Sequence, residues 1–123
     1  MKIAIPVNGD SMEAGVCPSF GRAPYFLIYD TESQEKAFLN NSAANSQGGA
    51  GIKAGQTIAD SQVQALLVPR LGENAAGVIR AANIKIYKTT NDSINDNINA
   101  FIDEKLNPLE DIHPGFHGRG GNM

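Results

Sequence analysis

Two short aliphatic runs, residues 63–68 (Val-Gln-Ala-Leu-Leu-Val) and 84–89 (Ile-Lys-Ile-Tyr-Lys-Thr), leave few folds open to this chain. Each is too short for a helix and apolar enough for a strand buried on both faces. Between them Ala75, Val78, Ile79 and Ala82 follow the i, i+3, i+4, i+7 spacing of a helix that covers a sheet. A strand–helix–strand unit of this kind is a right-handed crossover between parallel strands, so both sheet faces must be covered. The fold class is therefore α/β.

Three further runs have strand character: Lys2 to Val7, Tyr25 to Asp30 and, more weakly, Glu35 to Asn41. Two more helices are expected. One runs from about Ile52 to Ser61, with Ile52, Ile58 and Ala59 on its apolar side. The other is capped by Ser93 with Asp96, carries Ile94, Ile98, Phe101, Ile102 and Leu106 as one stripe, and is ended by Pro108. The middle helix is expected to start with Asn74 as its cap and to stop at a left-handed Asn83. The order β-β-β-α-β-α-β-α predicts a five-stranded mixed sheet with three helices. Pro6 is expected near the end of its strand, where a missing donor costs least. Of the helix-three stripe, Ile98, Phe101 and Ile102 are expected to be buried.

At 123 residues the chain fits a single domain. Residues 1–107 hold all the periodic segments. Residues 108–123 hold two His and four Gly but few large apolar side chains, and are expected to form a flexible tail. Ten basic and thirteen acidic residues give a net charge of −3, so phosphate attraction has no general source and nucleic acid is not an expected partner. No run approaches the ~18 residues of a membrane span. The opening apolar stretch is too short for a signal peptide, and one cysteine cannot form an internal disulfide, so a cytoplasmic location is expected.

Three segments carry chemistry. Cys17-Pro18-Ser19-Phe20-Gly21-Arg22 lies in a long loop between the first two strands. Its thiol is either a soft ligand for a metal–sulfur cluster or a small core residue, and Arg22 either pairs with an anion or is solvated. Gly48-Gly49-Ala50-Gly51 precedes a helix, where successive amides and the helix dipole make an anion cradle. The Gly49-x-Gly51-x-x-Ala54 spacing overlaps the dinucleotide fingerprint, but it does not directly follow a strand and no acidic residue ends the next one. The loop Pro69 to Asn74, with Arg70, Gly72 and Asn74, follows the fourth strand, and ligands of open sheets gather at such strand ends. Arg70 is either a ligand-binding or a plain surface residue. In the tail, His113 and His117 could hold a soft or borderline metal weakly. Both His lie in the tail and no carboxylates converge, so binding rather than catalysis is expected.

Lys-Ile-Ala-Ile-Pro-Val (2–7), Ser-Phe-Gly-Arg-Ala-Pro-Tyr-Phe-Leu-Ile-Tyr-Asp (19–30), Gly-Gly-Ala-Gly-Ile (48–52) and the loop at 72–76 resemble the dinitrogenase iron–molybdenum cofactor biosynthesis family. The resemblance spans residues 1–107. It implies a ribonuclease H-like fold with strand order 3-2-1-4-5. It also implies a small non-catalytic carrier for an iron–molybdenum or related metal–sulfur cluster, with cluster donor and acceptor proteins as partners. Ser19 stands where that family often has a histidine, which leaves Cys17 as the nearby soft ligand. On this reading Cys17, Arg22, the Gly48–Gly51 amides and Arg70 converge on one face. The alternative from a different class is a sensor of small anions or nucleotides that uses the same glycine cradle.

Overall fold

The computed structural model describes residues 1–110 and 112–113. Strands β1 (Lys2–Val7), β2 (Tyr25–Asp30) and β3 (Lys36–Asn40) form an antiparallel meander. A single 3-10 turn (Ser42–Asn45) leads to α1 (Ala50–Asp60). Then come β4 (Ala65–Val68), the two-residue β5 (Leu71–Gly72), α2 (Glu73–Ala81), β6 (Lys85–Lys88), α3 (Ile94–Ile102) and the two-residue β7 (Ile112–His113).

The main sheet has the order β3-β2-β1-β4-β6, with β1, β4 and β6 parallel. The run expected as the fifth strand does occupy the outer position. It is the sixth in chain order, because Leu71–Gly72 also adopts strand geometry and pairs outside this sheet, with β7. The order is therefore 3-2-1-4-6 rather than 3-2-1-4-5.

Side chains alternate between two cores, as strand period requires. Ala4, Phe26, Leu66 and Val68 face α1 and α2, together with Ile58 and Ile79. Ile3, Ile5, Val7, Leu27 and Leu67 face α3, through Ile94 and Ile98. Pro6 sits in the central strand without breaking the ladder. Its carbonyl accepts from the Cys17 amide at 2.8 Å, so the edge that lacks a donor faces the 16–17 loop and not β2.

The helix ends follow the sequence closely. Ser93 caps α3 by accepting from the Asp96 amide at 3.1 Å. Asn83 takes φ +63° after α2, and the Asn83 and Ile84 amides close back onto the Arg80 and Ile79 carbonyls. Asn74 is not the cap of α2, because Gly72 takes that place and Asn74 lies in the first turn.

Three burial expectations are corrected. Ile102 is 48% exposed and Phe101 half-buried, edge-on to Tyr87 at 5.3 Å. The reason is that α3 ends at Ile102 in a left-handed Glu104 turn, which swings Leu106 into the core instead. Ile52 is 43% exposed, because α1 starts two residues earlier than expected and packs through Ala54, Gly55 and Ile58. Part of the expected tail is also built in. Pro108 bridges to Tyr87, the Leu109 amide donates to the Ile86 carbonyl, Leu109 is 4% exposed, and Ile112–His113 pair with β5. Leu109 and Ile112 bury apolar surface there, which offsets the ordering cost. Residue 111 and residues 114–123, His117 among them, lie outside the described residues. Among the described residues no helix is long and apolar enough to cross a membrane.

Candidate functional site

Because β1 and β4 are adjacent and parallel, the loops that follow them emerge at the same end of the sheet. The approach to α1 reaches that end as well, and the three segments enclose a cavity of about 570 Å³. Its walls are residues 18–22, 47–52 and 70–75, apart from Glu73.

The turn before α1 is held by Asn41, a residue the motif reading passed over. Asn41 is 2% exposed. Its amide group donates to the Ala23 carbonyl at 2.8 Å and the Gly21 carbonyl at 3.2 Å, and its side-chain oxygen accepts from the Ala43 amide. One side chain thus ties the Gly21–Ala23 loop to the 3-10 turn. Arg22 adds a second tie, since Nη1 donates to the Ala44 and Ser46 carbonyls at 2.9 and 2.6 Å.

Gly21 lies against the first turn of α1. A Cβ placed there would be 3.0 Å from the Gly51 nitrogen and 3.2 Å from the Gly51 Cα. The Gly49 N-cap has φ +69°, a conformation that glycine adopts without strain. It offers no side chain to the helix, and neither does Gly72 at the start of α2. The first-turn amides of a helix have no intrahelical acceptor, and the dipole adds partial positive charge. Two such N-termini face one cavity, beside the guanidinium groups of Arg22 and Arg70. Arg70 is exposed and makes no hydrogen bond or ion pair among the described residues. Phe20, Ile52, Leu71 and Ala75 supply the apolar part of the wall. The arrangement can receive an anion with a soft, weakly hydrated surface.

Of the residues singled out from sequence, Ser19, Phe20, Gly21, Arg22, Gly48, Gly49, Ala50, Gly51, Arg70, Gly72 and Asn74 all line this cavity. Cys17 does not. It is 7% exposed in the core between the sheet and α1, with its thiol donating to the Ser19 carbonyl at 3.5 Å. Its amide bond to Pro6 turns the side chain inward, so a thiolate ligand in the cavity is not what this loop builds. His113 has its backbone beside Gly72, while its side chain and all of His117 are outside the described residues. No group of three His, Cys, Asp or Glu able to hold a metal occurs among the described residues. The residues named as binding from sequence left out five of the wall: Pro18, Gln47, Ile52, Leu71 and Ala75. Each adjoins a residue that was named, and that adjacency was the available signal.

Known proteins share this build. A Methanocaldococcus jannaschii protein, itself uncharacterized, is 33% identical over 113 residues, which is 89% of this chain and 92% of that one. The apo form of the orange protein from Desulfovibrio gigas superposes with a TM-score of 0.83 at 28% identity, covering 88% of this chain and 92% of the other. A Thermotoga protein solved by NMR and named as a candidate NifB protein gives 0.79 at 32% identity, covering 98% of both chains. The model of the dinitrogenase iron–molybdenum cofactor family matches residues 1–104, and the chain belongs to that family.

Proposed function

We propose that the protein is a non-catalytic carrier for an anionic metal–sulfur cluster of the iron–molybdenum type, taken from one protein and handed to another. The observation that carries this reading is the cavity in which two uncapped helix N-termini, Arg22 and Arg70 meet an apolar wall. Family membership supports a molybdenum–iron–sulfur species as the anion. The orange protein structure, being an apo form, presupposes a ligand for a protein of this shape. The order of elements suits a ribonuclease H-like ancestry, with the cavity at the end of the parallel strands used for binding.

The wall provides no side-chain metal ligand, so the cargo is held as a preassembled anion whose sulfides complete its own coordination. Amides and guanidinium groups bond those sulfides from outside, and Phe20, Leu71 and Ala75 keep water away. Charge-assisted bonds of this kind are worth about 1.5–3 kcal/mol each.

Anaerobic titration with tetrathiomolybdate, alone and with ferrous iron, tests the reading. Retention of molybdenum after desalting is expected for the wild type and for Cys17→Ser, whose side chain lies outside the cavity. Loss of uptake in Cys17→Ser with an unchanged fold would restore the thiol as a ligand. Binding of nucleotides but not thiomolybdate would make the protein a nucleotide sensor instead.

A further inference from the structure

Four large apolar side chains are left exposed among the described residues, and of these only Ile52, at 43%, lines the cavity. Helix α1 packs through Ala54, Gly55 and Ile58, so the core does not take up the Ile52 side chain. Its place is unusual for an anion site. The residues from Gly48 to Gly51 keep the approach to α1 small, and the helix has neither a capping side chain nor an acidic residue in its first turn. The first large side chain after those glycines is this isoleucine, on one wall with Arg22 and Arg70.

The amides and guanidinium groups act on charge, and charge alone does not separate one dianion from another. Ile52 acts on the surface atoms. The oxygens of an oxyanion hold their water by strong hydrogen bonds, and an apolar group that displaces this water gives none back. Sulfide sulfurs are larger, more polarisable and weakly hydrated, so an aliphatic side chain against them gains dispersion contact with little desolvation cost. Phe20, Leu71 and Ala75 share the wall but are buried, which leaves Ile52 as the large apolar surface open to a ligand.

We propose that Ile52 is the residue that makes the cavity take sulfur-faced anions and refuse oxyanions of equal charge. The inference rests on the carrier reading above and adds to it selection against molybdate, phosphate and sulfate. Tetrathiomolybdate and molybdate separate the two ideas, since both are tetrahedral dianions that surround one molybdenum with sulfur or with oxygen. Ile52→Val and Ile52→Thr separate the side chain's surface from its shape. Both are β-branched and alike in outline, and they differ by a methyl against a hydroxyl. At this exposed position neither disturbs the core.

Anaerobic calorimetric titration of the full chain with each anion is the test. The wild type is expected to bind thiomolybdate about a hundredfold more tightly than molybdate. Ile52→Val keeps that ratio within about threefold, whereas Ile52→Thr lowers it about tenfold by weakening thiomolybdate and not molybdate. Equal losses for both anions in Ile52→Thr, or an unmoved ratio, would overturn the assignment. A wild type that binds both anions alike overturns the selectivity and leaves the anion cavity of the carrier reading standing. A wild type that binds neither removes the carrier reading, and this inference with it.

Discussion

Arg22 and Arg70 line the same cavity, but the structure gives them different work, and alanine at each position separates the two. Arg70 has no protein partner among the described residues, so Arg70→Ala removes only what the guanidinium does for a bound anion. One charge-assisted contact at about 1.5–3 kcal/mol corresponds to roughly 10- to 150-fold weaker binding, with thermal stability unchanged. Arg22 in addition holds the Ala44 and Ser46 carbonyls at 2.9 and 2.6 Å. Both bonds are exposed to solvent, so their combined loss costs about 1 kcal/mol rather than twice the charged value. For a chain of this size that lowers Tm by about 4 °C. Arg22→Ala therefore weakens thiomolybdate binding and lowers Tm together, while Arg70→Ala weakens binding alone. Calorimetric titration and scanning calorimetry on the two variants read both quantities. Wild-type affinity in Arg70→Ala, or an unmoved Tm in Arg22→Ala, would refute the division of roles.

Three further outcomes follow from the geometry. Gly21→Ala should cost about 1–3 kcal/mol and weaken anion binding, because the new methyl meets α1 backbone that cannot move aside, whereas Gly48→Ala, with open space around it, should leave denaturant midpoints near wild type. Asn41→Ala should cost about 2–4 kcal/mol by leaving the Ala23 carbonyl without its partner in the core, and a midpoint within experimental error of wild type would show that water replaces the bond. Asp30 accepts from the Glu32 amide, then from the Ser33 amide, and faces the N-terminal ammonium, all of which hold its carboxyl below the usual 3.8 despite some opposing desolvation. Its contribution is complete above that value and disappears as pH falls through the lower folded one, so Asp30→Asn should flatten the decline in Tm below pH 3.8, and an unchanged acid slope would count against it.

The fold was legible wherever one physical signal stood alone. Apolar period, a serine cap and a left-handed asparagine placed all three helices, and adjacency of two aliphatic runs placed the parallel strands. It was not legible where the same signal serves two ends. Ile102 and Ile52 carry the helical period that marks a buried face, yet one sits where α3 stops and the other in the first turn of α1 beside the cavity. Period cannot tell a residue facing the core from one facing an open pocket at the same angle. Strands β5 and β7 have two residues each, too few for any alternation to show.

The site divides in a similar way. Glycines before a helix and a loop after a parallel strand have geometric consequences that follow from topology, which is why eleven of the twelve residues read as cofactor-binding meet in one cavity. A lone cysteine has no such consequence. Burial and ligation ask for the same side chain, and the choice was made by the Cys17 amide bonding to Pro6, a contact that depends on where proline lacks a donor in the central strand. The path from β3 to α1 was equally hidden, because it depends on two hydrogen bonds of Asn41 across gaps of 20 and 18 residues, to the Gly21 and Ala23 carbonyls, and on a local one from the Ala43 amide. Those bonds carry the chain over the sheet end and bring the Gly48–Gly51 amides to the two arginines. A buried asparagine with no chemistry of its own thus decides whether this cavity exists.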